Sequence, residues 1–462
     1  MKRIGSIALV LFIAGFIAGC SPSARTGNTA PDTAEKTAAA AGETSGGKTV
    51  PLDMGKEDNT RLTVASSKPE DRFLETAVAA FRKKNPGIVV EIKHYTAMGE
   101  TYTRETEDGS MLMIGENTDP GGEKYIKTIS TELMSGAGPD IIDTFYLPFG
   151  KFADNGFLCD MEAIIAEDAG FDGSSYYENI LDAVKYKGGL YTMPLGFLAD
   201  YTAGKYSLPE GTGSEATMLD DFLKTAGETL KTHGINGTYV LSRRDTDIFD
   251  ILFRSRYGSF VKEDTRECDF TSGEFVELIK QIKEAADEKL IFRAGEDVTR
   301  YKGWEDLYFI IQSSYDSNYL AYYKNPKGEN NVYAIPYLDK PGIGSDIFME
   351  YGINSNSKSK GAAWKFIKFI ISEEMQTSPE FFPFPINKAA MQKKIERERV
   401  PEAGTELTAG DSVFSRLTVY PKKNWQVLKI VQEETEKFFD GQRSAEDTAN
   451  IIQGRINVMI KE

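Results

Sequence analysis

Residues 350–376 carry the sequence E-Y-G-I-N-S-N-S-K-S-K-G-A-A-W-K-F-I-K-F-I-I-S-E-E-M-Q, the most informative stretch of the chain. A largely apolar run at 347–353 predicts a buried strand at its start. A polar loop follows, and Ser359 stands where a helix N-cap is expected. Apolar residues then recur at helical spacing, namely Ala363, Ile367, Ile370 and Ile371. The stretch therefore predicts a strand, a turn and an amphipathic helix packed on a sheet.

The folded part of the chain is predicted to begin with a β-α-β unit. From Arg61 onward, Leu62-Thr63-Val64-Ala65 predicts a strand, and 89–92 predicts a second one. The helix between them has a predicted buried face made of Phe73, Leu74, Ala77, Val78 and Phe81. Such a unit predicts two parallel strands joined by a right-handed crossover.

A second helix-to-strand junction supports the same class of fold. Residues 123–135 show helical spacing and lead into G-A-G-P-D at 136–140. The glycines permit a tight turn and the proline ends the helix, so a strand is expected from Ile141. Helices that alternate with strands in this way predict an α/β protein.

These phrases together resemble family 1 extracellular solute-binding proteins. The 350–376 stretch is similar to the family pattern y-G-I-n-s-n-S-k-n-K-e-a-A-w-k-F-i-k-f-l-s-e-e-x-Q, and 81–91 to F-x-K-K-x-P-G-I-x-V-x. The resemblance covers about Arg61 to Glu462, with gaps around 94–122 and 205–260. It implies a two-lobe periplasmic-binding-protein-like type II fold, with a cleft between lobes and a chain that crosses between them several times.

Two phrases that resemble the family's crossings place the predicted lobes. Residues 188–197, G-G-L-Y-T-M-P-L-G-F, resemble the first crossing, and 384–387, F-P-I-N, resemble the crossing back. The predicted first lobe is 61–195 with 333–383. The predicted second lobe is 196–332 with 384–462.

The N-terminal residues predict export and a lipid anchor. Residues 1–20 have a basic start and an apolar run too short for a comfortable membrane span, which is typical of a signal peptide. Ile17-Ala18-Gly19-Cys20 resembles a lipobox, which implies lipidation of Cys20. Residues 21–60 predict a disordered tether. Within it, 42–49 matches the phosphate-loop string, but no strand precedes it and Pro51 follows, so no nucleotide site is expected.

Composition and motifs argue for a binding protein and against several other classes. The chain has 462 residues, enough for two lobes, and a net charge of -16, which disfavours nucleic acid as a partner. It contains two histidines and none of the common catalytic or metal-binding patterns, so no cofactor, metal or enzymatic activity is predicted. Cys159 and Cys268 fall in different predicted lobes and are expected as free, buried thiols.

The predicted ligand-binding residues follow from a rule of α/β sheets. Loops at the carboxyl ends of parallel strands face the cleft, and sugars need aromatic faces together with polar side chains. The residues selected on this basis are Ser66, Ser67, Phe145, Tyr146, Phe197, Tyr315, Asp316, Glu350, Tyr351 and Trp425. For each of them, packing in the core or on the surface is the competing interpretation. Trp304 and Trp364 are assigned to the core.

The resemblance implies a function for this architecture. It predicts a monomeric, lipid-anchored binding protein at the outer face of the bacterial cytoplasmic membrane. A carbohydrate would be captured by hinge closure and delivered to the permease subunits of an ABC transporter. The alternatives are a non-sugar solute such as a polyamine, phosphate ester or peptide, a surface sensor or adhesin, and a glycan-acting enzyme. The enzyme would need two cleft carboxylates about 5–9 Å apart.

Overall fold

The computed structural model describes most of the predicted folded part of the chain. The described residues are 60–96, 101–105, 111–115, 122–204, 206–209, 218–236, 239–296, 309–314, 332–333, 344–398, 414 and 417–461. The predicted signal peptide, Cys20, the tether, Trp304, Tyr315 and Asp316 lie outside these residues.

The first part of the chain builds an α/β layer. Its strands are β1 (Thr60–Ser66), β2 (Ile88–His94), β3 (Thr101–Glu105), β4 (Met111–Gly115) and β5 (Ile141–Asp143). Its helices are α1 (Arg72–Lys84), α2 (Glu123–Met134), α3 (Phe149–Asp154), α4 (Met161–Glu167) and α5 (Glu178–Ala183). β1 pairs in parallel with β2 and with β5, which confirms the predicted parallel strands.

The middle of the chain contains the first long crossing strand and a mainly helical region. The crossing strand is β6 (Met193–Ala203). The helices that follow are α6 (Leu219–Thr232), α7 (Asp245–Ser255), α8 (Tyr257–Phe260) and α9 (Gly273–Asp287). The short strands are β7 (Val261–Lys262), β8 (Glu267–Cys268), β9 (Ile310–Ser314) and β10 (Val332–Tyr333).

The last part returns to the sheet and ends in two helices. Its strands are β11 (Gly344–Ile353), β12 (Phe384–Pro385) and β13 (Thr418–Val419). Its helices are α10 (Lys360–Ile370), α11 (Glu373–Gln376), α12 (Lys388–Glu398), α13 (Trp425–Phe439) and α14 (Ala445–Met459). The main sheet runs in the order β10-β6-β11-β5-β1-β2, with β9 and β12 also paired to β6 and β13 paired to β11.

The two antiparallel crossing strands join the lobes. β11 pairs with β6 from Gly344, opposite Asp200, to Tyr351, opposite Met193, and its last three residues also pair with β5 on the other edge. A β-bulge interrupts the pairing with β6 between Ile347 and Glu350. Both strands therefore take part in the first lobe at one end and in the second lobe at the other.

Buried side chains form two large clusters that correspond to the lobes. One contains the inward faces of β1, α1 and α10, and the other contains those of α6, α7, α9, α13 and α14. All five predicted face residues of α1 are buried. Phe384, Ile386 and Ile395 also pack with the first cluster.

The α10 region agrees with its sequence pattern except at its cap. Ala363, Ile367, Ile370 and Trp364 are fully buried, and the Trp364 indole donates a hydrogen bond to Asp168 at 2.9 Å. The predicted cap by Ser359 is wrong in its detail. Ser359 occupies the N-cap position, but its side chain makes no capping hydrogen bond, and Ser359 accepts only through its backbone oxygen, from the Ala363 amide.

Three further sequence expectations can be compared with the structure. Cys159 and Cys268 are free, as predicted, but each is half-buried rather than buried. Within the described ranges, no helix is long and apolar enough to cross a membrane. Among the same residues, no group of three or more His, Cys, Asp or Glu side chains is placed to hold a metal ion.

Candidate functional site

The carboxyl ends of β1 and β5 meet at Asp143, which organises the loop after β5. The backbone N–H and hydroxyl of Ser67 donate to Asp143 Oδ2 at 3.2 and 2.5 Å, and the Phe145 N–H donates to Oδ1 at 3.0 Å. Burial raises the pKa of Asp143, although these hydrogen bonds oppose the rise. Ser66 and Ser67 are buried themselves. They therefore support the loop that carries Phe145 and Tyr146 rather than presenting their own side chains.

That loop meets Trp425, which begins α13, in an aromatic contact between the lobes. The ring centroids of Phe145 and Trp425 are 4.9 Å apart, and those of Tyr146 and Trp425 are 5.4 Å apart. Phe145 and Tyr146 are 5.0 Å apart and make an edge contact. All three rings are half-buried. We call these three residues the aromatic cluster.

Gly122, immediately before α2, leaves room for the cluster. Its φ is +64°, a conformation that L side chains rarely adopt, and a Cβ there would lie 2.5 Å from the Tyr146 ring. On the same side of the interface, Lys429 of α13 forms an ion pair with Glu123 of α2 at 2.5 Å. The first turns of α13 and α2 thus face each other across the lobes.

Two aromatic residues that sequence reasoning missed extend the cluster. The Phe348 ring lies 5.7 Å from that of Phe145 and 5.2 Å from that of Phe382, which is 40% exposed. The Lys68 ammonium lies 5.8 Å from the centre of the Phe348 ring. Phe348 lies in the β-bulge of β11. The bulge interrupts the alternation of side chains between the two faces of the strand, so the sequence pattern does not show which face Phe348 is on. The rings of Trp425, Phe145, Phe348 and Phe382 form a continuous row.

Glu350, a predicted site residue, is buried in an ion pair with Lys422. It also accepts a hydrogen bond from Thr192 at 3.1 Å. Burial raises the pKa of Glu350 and lowers the pKa of Lys422, because each loses hydration, and the attraction between them opposes both shifts. Lys422 also donates to the backbone oxygen of Thr144 at 2.6 Å and lies 4.7 Å from the centre of the Phe149 ring.

A second charged group lies on the other side of the crossing strands. Asp346 in β11 forms ion pairs with Lys423 and with Arg254 of α7, the latter at 2.9 Å. Its carboxyl is desolvated, but these two cations lower its pKa. Asp200 in β6 accepts a hydrogen bond from Ser313, and burial raises its pKa. Aligned strand partners place Asp200 beside both Gly344 and Ser313.

The remaining predicted site residues do not join the cluster. Phe197 is fully buried, with its ring between Phe384 and Tyr177 at 5.7 and 6.2 Å, so it has no surface open to a ligand in this structure. Tyr351 is also buried, beside Asp143 in the sheet register. Tyr315 and Asp316 follow β9 but lie outside the described residues.

A groove of about 620 Å³ lies elsewhere, on the second lobe between α6 and α9. Its floor includes Leu223, Leu230 and Val240, and none of the predicted ligand-binding residues lines it. The Trp425 ring packs directly against the rings of Phe145 and Tyr146. The three rings of the aromatic cluster therefore pack against one another in this structure.

Comparisons with known proteins agree on one fold. A family model described as bacterial extracellular solute-binding protein matches residues 116–377. The ABC substrate-binding protein Lmo0181 from Listeria monocytogenes, solved in complex with cycloalternan, is 20% identical with a TM-score of 0.56, covering 87% of this chain and 100% of that chain. The sugar-binding protein MalE from Xanthomonas citri is 16% identical with a TM-score of 0.58, covering 87% and 98%.

A third solved structure leads to the same conclusion. A periplasmic oligogalacturonide binding protein from Yersinia enterocolitica is 15% identical with a TM-score of 0.55, covering 87% of this chain and 99% of that chain. These likenesses confirm the predicted two-lobe periplasmic-binding-protein-like fold.

Proposed function

Because the chain belongs to the family of bacterial extracellular solute-binding proteins, we propose that it captures a carbohydrate between its two lobes. The aromatic cluster is the proposed centre of the site, with Phe145 and Tyr146 from the first lobe and Trp425 from the second. Glu350 and Lys422 are the proposed polar part of the site.

The observation that carries this proposal is the convergence of the aromatic rings across the lobes. Phe145 and Trp425 are 280 residues apart in the chain, yet their ring centroids are 4.9 Å apart. Aromatic faces suit the C–H face of a sugar, and charged side chains suit its hydroxyls. Ligand sites favour such lobe interfaces, because closure then surrounds the ligand.

The ligands named for the structural neighbours support a carbohydrate over other solutes. One neighbour was solved with cycloalternan, and another is described as binding oligogalacturonide. We extend this class of ligand to the present chain because its candidate site is rich in aromatic side chains. The row of rings out to Phe382 favours a ligand longer than a single sugar.

The remaining parts of the proposed function rest on the sequence and the family. Cys20 would carry the lipid, residues 21–60 would tether a monomeric body to the outer face of the cytoplasmic membrane, and the loaded protein would deliver its ligand to ABC permease subunits. The residues that surround the cluster support a binding role over a glycan-acting enzyme. Asp143, whose side chain accepts from Phe145, and Glu350 are both buried and engaged by the chain's own donors.

A thermal-shift screen against sugars and non-sugar solutes tests this proposal. A ligand at 100 times its Kd should add about 2.7 kcal/mol to the free energy of unfolding, a rise of several degrees in Tm. A shift with oligosaccharides that disappears in Trp425→Ala is the expected result. Met134→Ala, at an exposed first-lobe position, is the matched control and should keep the shift. Shifts with non-sugar solutes alone would refute the carbohydrate assignment.

A further inference from the structure

Two adjacent lysines of the second lobe extend in different directions at the lobe junction. Lys422 forms an ion pair with Glu350 and donates to Thr144 O at 2.6 Å. Lys423 forms an ion pair with Asp346, which also pairs with Arg254. Both lysine side chains are largely buried. Buried charges are costly, so two in succession indicate that each has a specific partner.

The carboxylate partners of the two lysines both lie on β11, but each lysine is linked to a different further element. Thr144 follows β5, and Glu350 lies in the part of β11 next to the residues that pair with β5, so Lys422 reaches the first lobe. Asp346 connects Lys423 to Arg254 of α7, whose apolar face packs in the second core cluster, so Lys423 is linked through β11 to the second lobe. The chain just before Trp425 is thus held to both lobes at successive residues.

We propose that Lys422 is a positioning residue for the ligand site, because it ties the second-lobe segment that carries Trp425 to the first-lobe loop that carries Phe145 and Tyr146. Thr144, whose backbone oxygen accepts from Lys422, immediately precedes Phe145. The Thr144 N–H donates to Glu350 O at 3.1 Å. The Lys422 ammonium therefore contacts both residues of this backbone hydrogen bond, the Glu350 carboxylate and the Thr144 backbone oxygen. The position of the loop relative to the Trp425 ring then depends on Lys422.

The chemistry of this contact suits a link that can open. Burial lowers the pKa of Lys422 and raises the pKa of Glu350, so desolvation offsets much of their attraction. A contact with a small net stabilisation can give way when a ligand separates Trp425 from Phe145. This role in ligand capture rests on the proposed function, whereas the link itself is a property of the ligand-free chain.

Hydrogen–deuterium exchange of the ligand-free protein tests the link without any ligand. Lys422→Met keeps the length of the side chain and removes its charge. We expect the amides of Thr144 and Leu147, which donate to Glu350 O and Thr144 O, to exchange about tenfold faster, as for loss of a hydrogen bond to a charged group. Lys422→Arg keeps the charge and should restore protection.

Lys423→Met is the matched control, with a neighbouring charge and similar burial. It should speed exchange in α7 around Arg254 and leave the Thr144 and Leu147 amides unchanged. Equal acceleration of both regions in both variants would mean a purely structural role and would overturn the proposal, as would unchanged exchange at Thr144 in Lys422→Met. Circular dichroism verifies that each variant is folded.

The same variants separate this inference from the proposed function. If the wild-type protein binds an oligosaccharide and Lys422→Met binds it with unchanged Kd and dissociation rate, Lys422 does not position the site. If the wild-type protein binds no carbohydrate, the proposed function fails, while the exchange result still decides whether the link between lobes exists.

Discussion

Removal of the Lys422 ammonium should make the stability of the protein depend on pH in a specific way. In Lys422→Met, Glu350 stays buried with only the Thr192 hydroxyl as a side-chain donor. Breaking a buried ion pair on one side costs about 3–5 kcal/mol when the remaining charge stays in place. The carboxyl can instead take up a proton. With an unfolded-state pKa of about 4.3, this costs about 3.7 kcal/mol at pH 7, which sets an upper limit to the loss from charge.

The sign of the pH dependence follows from proton binding. Between about pH 7 and pH 4.3, Glu350 of Lys422→Met is protonated in the native state and ionised in the unfolded state. Acidification therefore stabilises the native state of this variant. The difference in unfolding free energy between wild type and Lys422→Met should therefore shrink from about 3–4 kcal/mol at pH 7 to about 1 kcal/mol at pH 5. Urea unfolding at pH 7, 6 and 5, followed by circular dichroism, measures this difference.

The double variant Lys422→Met with Glu350→Gln provides the control. Because it leaves no buried carboxyl at this position, it should be more stable than Lys422→Met at pH 7, and its difference from Lys422→Met should shrink as pH falls from 7 to 5. A loss below about 1 kcal/mol in Lys422→Met at pH 7 would contradict the assignment of a buried ion pair. A loss that is the same at all three pH values would refute the reasoning about proton uptake.

Two other substitutions test the first lobe. Asp168→Asn removes the ion pair with Lys368. Desolvation opposes ionisation of Asp168, but hydrogen bonds from Lys368 and the Trp364 indole lower its pKa. The variant should therefore lose about 1–2 kcal/mol of unfolding free energy at neutral pH. The stabilisation by the ionised Asp168 is fully present above its unfolded-state pKa of about 3.9 and is lost as pH falls through its lower native-state pKa. The unfolding free energies of wild type and Asp168→Asn should therefore converge in acid. Gly122→Ala should lower stability by about 1 kcal/mol or more through its positive φ and should displace the Tyr146 ring, which Tm and near-UV circular dichroism measure. An unchanged near-UV spectrum would contradict the close packing of Tyr146 on Gly122.

Local patterns predicted the elements because their periodicity reflects burial directly. The face of α1 and the strand before it follow from spacing alone, and the loop positions of Phe145 and Tyr146 follow from the rule for the ends of parallel strands. Trp425 was selected by the same general chemistry. Its contact with Phe145, at 4.9 Å, depends on how the lobes pack, which no local pattern contains.

The sequence prediction failed where tertiary pairing overrides local pattern. Phe197 was expected beside the cleft, but it lies in the middle of an 11-residue strand and is covered by β12. Phe348 was missed because the bulge in β11 breaks the period-two alternation. Lys422 was missed because a lysine in sequence is normally a solvated surface residue, and its partner Glu350 is 72 positions away.

The buried charges at the junction have a consequence for ligand capture that apolar packing would not have. Closing a purely apolar interface gains free energy in proportion to the area buried, so a large one would hold the lobes together without a ligand. At the Lys422–Glu350 pair, desolvation opposes the attraction between the charges, so under the proposed function this contact would add little to the free energy of closing the lobes. A ligand can shift such an equilibrium with a modest difference in affinity between the two arrangements. Under the proposed function, the aromatic cluster would supply the contact area for this difference in ligand affinity. The buried pairs of the two lysines would keep the free-energy difference between the two arrangements small enough for a ligand to shift it.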